Sequence, residues 1–147
     1  MLRSMDEPSA AEIASALRGL LPDELLAQFD DDMSAYADLD GDVSLCGVLL
    51  AFSGSFRLLI RKRDAASIRD VLAFVDDLLV RHQPEGGVGP RDGSVYNSLL
   101  ACFLENVLPV RPEEFPVVGP YLGPGVCAHA SKFEAWWLEP NADTSPA

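Results

Sequence analysis

The sequence predicts a single all-α domain. Apolar residues recur at helical spacing in five separate stretches, and no run alternates with the period of two that a half-buried strand requires. The chain has 147 residues, 48% of them hydrophobic, and a domain of this size buries about 70% of the surface exposed by its unfolded chain. It therefore needs no metal or disulfide staple to form a core. The expected architecture is an antiparallel helical bundle, or a short helical-repeat-like stack, of five longer and one or two short helices. It spans residues 9–138, after an N-terminal extension (1–8) and before a polar tail (139–147) expected to be disordered.

Ser9 with Glu12 three residues on forms a capping box that opens the first helix, whose apolar positions are Ile13, Leu17 and Leu20 or Leu21. Pro22 restarts the chain at the first turn of a second helix. Asp23 and Glu24 suit its positive end, and Leu25, Leu26, Phe29, Met33 and Tyr36 form one stripe. Asp30, Asp31 and Asp32 fall mostly on the wet side. Residues 43–60 are apolar almost all round, as in a helix enclosed by others or one that spans a bilayer. Arg61-Lys62-Arg63 would suit a span, but Arg57 inside the run would cost about 3 kcal/mol near a membrane centre. No second span accompanies it, so a core helix is predicted, with the basic triplet complementing its negative end.

Asp64 caps a fourth helix in which Ile68, Val71, Leu72, Val75, Leu78 and Leu79 repeat with helical spacing and Asp77 can pair with Arg81. The segment from His82 to Pro90 breaks it. Asp92 or Ser94 then caps a fifth helix through Val95, Tyr96, Leu99, Leu100, Cys102, Phe103 and Val107, which Pro109 stops. Asn106 lies inside that apolar face and needs a partner, most simply a free carbonyl near the helix end. Beyond it, Pro112, Pro116, Pro120 and Pro124 allow only a short helix around Glu113 to Val118 and a turn at Tyr121 to Gly125. A last helix carries Val126, Ala130, Phe133 and Trp137, with Trp136 nearby.

The charge is uneven. The chain carries 11 basic and 23 acidic side chains, net −12. Residues 1–56 hold two of the bases and eleven of the acids, a net of −9, against −3 for the remainder. Such a field disfavours nucleic acid and anionic membranes and attracts cationic proteins. The only basic cluster is Arg57, Arg61, Lys62 and Arg63. Cys46, Cys102 and Cys127 have no paired spacing, and Met1 to Glu7 lacks an apolar signal core; both features predict a reducing, cytoplasmic setting. Cys46 and Cys102 read as small core residues.

No constellation of chemical groups is complete. Asp38-Leu39-Asp40-Gly41-Asp42 resembles the start of a calcium loop, but with Gly41 at position 6 the first ligand would be Tyr36, and with Asp38 first the twelfth would be Leu49. An acidic interhelical turn is predicted instead, with no metal and no cofactor. Cys127-Ala128-His129 brings a thiol near an imidazole without the further ligands or local signature that a zinc site or a thiol enzyme needs. Gly86-Gly87-Val88-Gly89 lacks the Lys-Ser/Thr of a phosphate loop.

Asp92, Val95 and Asn97, followed by Phe103-Leu104-Glu105-Asn106, have a D-x-x-V-x-N…F-L-E-N form that resembles a family of small bacterial helical proteins of unknown function. Tyr121-Leu122-Gly123-Pro124 resembles that family's leucine-glycine-proline turn, and Leu25 to Tyr36 and Ile68 to Leu79 fit its earlier helices. The resemblance implies an all-α domain, with Val95, Asn97, Phe103, Leu104 and Glu105 as motif positions of unassigned role. It also points toward the immunity-like proteins of bacterial competition systems, which act by binding a toxin. The functional expectation is a non-enzymatic, cytoplasmic binding module that presents Asp30, Asp31, Asp32, Asp38, Asp40 and Asp42 to a cationic protein. The alternatives are a small thiol enzyme using Cys127 and His129, and a protein that self-associates through Trp136 or Trp137.

Overall fold

A computed structural model describes residues 7–84, 94–108 and 110–130. The domain is all-α. Among the described residues the only β feature is an isolated antiparallel bridge between Ala37 and Val43.

Helix α1 (Ala10–Leu20) opens with the predicted capping box: Glu12 N–H donates to Ser9 Oγ at 3.1 Å and Ser9 N–H donates to Glu12 Oε1 at 2.7 Å. It buries Ile13 and Leu17. Helix α2 (Asp23–Ser34) follows, with Pro22 one position earlier than predicted, at the N-cap. Leu25 and Phe29 are buried and Leu26 and Met33 half-buried, but the helix ends at Ser34 and leaves Tyr36 outside the stripe to which the spacing assigned it.

Helix α3 (Leu45–Lys62) is the central element. Ser44 Oγ accepts from the Gly47 N–H at 3.0 Å, and ten residues of the helix are buried, as a helix apolar on most sides requires. It is packed on by α1, α2 and the segments that follow it; no helix among the described residues is long and apolar enough to cross a membrane. Helix α4 (Ala65–Arg81) is capped by Asp64 and buries the six residues that its periodicity selects, while Arg81 pairs with Asp77 on its wet face.

The predicted fifth helix is interrupted. Ser94 caps α5 (Val95–Leu99), a π-helical segment follows over Leu100–Leu104, and α6 (Glu105–Val107) completes the run. Three consecutive residues of this segment, Cys102, Phe103 and Leu104, are all buried. Asn106 finds a carbonyl as expected: its Nδ2 donates to Cys102 O at 3.0 Å. Short helical turns at Pro112–Glu114, α7 (Phe115–Val118) and Gly119–Tyr121 then lead to α8 (Pro124–Ala130), which docks on α4.

Four phenylalanines join these layers at the centre of the core. Phe29 of α2 meets Phe52 of α3 edge-on at 5.4 Å, and Phe103 of the π segment lies 5.9 Å from Phe52 and 5.4 Å from Phe56. All four are fully buried, each contributing about 1.5–3 kcal/mol through removal from water.

One expectation is overturned. Cys46 and Cys102 are joined in a disulfide, with Cα atoms 5.4 Å apart, tying the first turn of α3 to the π segment. Their separation of 56 residues carries no local signature, which is why spacing alone read them as independent core residues. The bond also removes the cysteine argument for a reducing compartment, since disulfides persist in oxidising ones. Gly86 to Gly89, Phe133, Trp136, Trp137 and the 139–147 tail lie outside the described residues.

Candidate functional site

The acidic pole is built by the end of α2 and the loop that carries the chain into α3. Helix α2 runs antiparallel to α3, with Glu24 beside Lys62 (3.7 Å) and Asp32 beside Gly54, so that the loop turns back at the N-terminal end of α3. The Asp38 carboxylate organises the turn: its Oδ1 accepts from the Asp40 N–H at 2.8 Å and the Asp42 N–H at 3.0 Å. Asp38 N–H donates to Asp42 O at 2.8 Å, Gly41 N–H donates to Asp38 O at 3.0 Å, and Gly41 takes φ +87°, a conformation that favours glycine.

The consequence is a pinned loop with an apolar tip. Leu39 is as exposed as in an extended chain (105%), and Tyr36, at the loop's base, is 46% exposed. Asp38, Asp40 and Asp42 bring carboxylate oxygens within 4.8 Å of one another, all of them at the surface. An exposed apolar side chain flanked by charged residues is the pattern of an interface centre with a polar rim.

The six predicted aspartates separate into two groups. Asp30 is spent on structure: its oxygens accept from Arg18 Nε at 2.8 Å and Nη2 at 2.7 Å, a bidentate link between α1 and α2. The hydrogen bonds to the guanidinium hold the Asp30 carboxyl below its ordinary value and raise Arg18 in turn. Asp32 is half-buried and accepts from Gln28 Nε2 at 2.8 Å. Asp38 is engaged in the turn. Asp31, Asp40 and Asp42 are exposed, with no side-chain hydrogen bond or ion pair among the described residues. Charge density in the sequence marked the region but missed Leu39; the signal was a large apolar residue between two aspartates, outside any helical stripe.

The other singled-out residues lie elsewhere. Val95, Phe103 and Leu104 are core residues, Asn97 is half-buried with its N–H donating to Ser94 Oγ, and Glu105 is exposed. Cys127 and His129 occupy different sides of α8. The exposed Cys127 thiol donates to Leu122 O at 3.5 Å, whereas His129 is buried with its Nε2 hydrogen-bonded to the Tyr96 hydroxyl. Positions two apart on a helix point nearly opposite ways, so the thiol and imidazole are not aimed at a common point. In comparisons with protein-family models, with curated proteins and with solved structures, nothing matches this chain.

Proposed function

We propose that the chain is a non-enzymatic protein-binding module whose loop from Tyr36 to Asp42 docks on a cationic protein. The reading rests on Leu39, fully exposed at the tip of a turn that four hydrogen bonds and a bridge hold in place. Exposing a leucine forgoes about 1.5–3 kcal/mol of burial, which a partner's apolar pocket recovers. Asp40 and Asp42 on the same loop, with Asp31 in the last turn of α2, provide charge for a basic rim, and a pinned loop loses little freedom on docking. An immunity-like role, in which the loop occludes a basic toxin surface, is the biological form of this proposal that the sequence resemblance favours.

The test is affinity capture by the tagged full-length chain from extract of its own cells, at low and at high salt, beside L39A and a D31N/D40N/D42N variant of unchanged helicity. The expected result is a basic protein held by the wild type at low salt, weakened by salt, and lost from both variants. Equal retention by wild type and variants would exclude this surface.

A further inference from the structure

At the opposite end of α3 from the acidic loop, the basic residues gather around a cavity of about 200 Å³. Its walls are Arg57, Arg61 and Arg111 with Asn106 and Glu114, over the apolar side chains of Ile60, Val107 and Val110. Arg57 and Arg61 are one turn apart on α3, on the same face, where like charges repel. In a chain with twice as many acids as bases, cations are expected to find carboxylates. Arg18, Lys62, Arg69 and Arg81 each do so. Yet no carboxylate among the described residues lies within ion-pair distance of Arg57 or Arg61, and Arg111 reaches Glu113 only at 3.9 Å.

One of the three arginines is also positioned. Arg57 Nη2 donates to Asn106 O at 2.9 Å, and Asn106 Nδ2 donates to Cys102 O at 3.0 Å, so the guanidinium is steered by the helical run whose π segment the disulfide anchors. Glu114 Oε1 accepts from the Arg111 N–H at 3.1 Å, which engages one oxygen of the cavity's one carboxylate in holding the turn. The lining charge is three positives and one negative, a net of +2.

We propose that this cavity is a binding site for a phosphate group, either free or carried by a small phosphomonoester. A phosphate dianion matches the lining charge, and its tetrahedral oxygens match several guanidinium forks better than one planar carboxylate does. The apolar floor of Ile60, Val107 and Val110 would accept the carbon skeleton of a monoester. This site is independent of the acidic loop, and either can fail without the other.

The experiment is calorimetric titration of the full chain with inorganic phosphate and with glycerol 3-phosphate, using sodium acetate at matched ionic strength as the control. Wild type, R57Q and R61Q are compared, each checked for helicity. R61Q breaks no side-chain hydrogen bond among the described residues, so it keeps the test valid even if R57Q disturbs the fold. Saturable binding that acetate does not reproduce, weakened about tenfold or more in R61Q, is the expected result. Tighter binding of the ester than of phosphate would identify a phosphomonoester as the ligand; equal binding would identify the phosphate group alone. No saturable binding at about 10 mM of either, or binding unchanged in R61Q, would overturn the proposal.

Discussion

Asp76 of α4 lies directly against Gly123: a Cβ at position 123 would sit 2.5 Å from the Asp76 Cγ. Asp76 cannot swing away without loss, because its Oδ1 accepts from the Val126 N–H at 2.8 Å, inside the first turn of α8. One carboxylate thus both caps α8 and requires a glycine before it. G123A is expected to lower stability by about 1–3 kcal/mol through overpacking, and D76A by about 1 kcal/mol through the lost cap. Because the two residues touch, the double variant should cost less than the sum, which urea titration of all four proteins checks.

The Cys46–Cys102 bond closes a loop with a separation of 56 residues, which restricts the unfolded chain by an amount worth about 4 kcal/mol. Reduction, or the C46A/C102A variant, is therefore expected to lower stability by about 2–4 kcal/mol while leaving the helical spectrum in place. Thiol titration of the denatured, unreduced chain should count one of the three cysteines, Cys127, and all three after reduction.

Much of the fold was legible because helices announce themselves locally. Ser9 with Glu12, and the six apolar residues from Ile68 to Leu79, are found where spacing and capping chemistry put them. What spacing could not reveal was non-local. The disulfide depends on where α3 and the π segment meet, and the apolar spacing over residues 95–107 reads as one continuous α-helix with no mark of the π segment. The acidic region was visible as composition, but which aspartates are spent was not, since Asp30 is neutralised by Arg18 twelve residues earlier. The arginine cavity was half visible: Arg57 and Arg61 form a cluster in sequence, and Arg111 joins them only through tertiary folding.

Two serines on α3 should respond in opposite ways to loss of their hydroxyls. Ser53 Oγ donates to Leu49 O at 2.8 Å and lies 3.3 Å from Cys102 O, whereas Ser55 Oγ, fully buried, has no hydrogen-bond partner among the described residues. A buried hydroxyl left unpaired costs about 1–3 kcal/mol, so S55A is expected to stabilise the domain by about 1 kcal/mol. S53A is expected to destabilise it by about 1 kcal/mol. Thermal melts of the two variants beside the wild type read both signs.

Tyr96 supplies a pH dependence. It is half-buried between α4 and α8, with its hydroxyl on His129 Nε2, and burial raises the phenol above its ordinary value of about 10. A raised value means that the folded state holds the proton more tightly than the unfolded state does. The corresponding stability is fully present below pH 10 or so and is lost as pH rises through the folded value. Y96F keeps the ring and loses both the hydroxyl and its titration. At pH 8 it should be less stable than the wild type by about 1 kcal/mol, the worth of one hydrogen bond. From about pH 10 upward the wild type should lose stability faster than Y96F, so the gap closes as the buried phenol begins to ionise. A gap constant between pH 8 and pH 11, by urea titration at each pH, would show that Tyr96 ionises as readily in the folded chain as in the unfolded one.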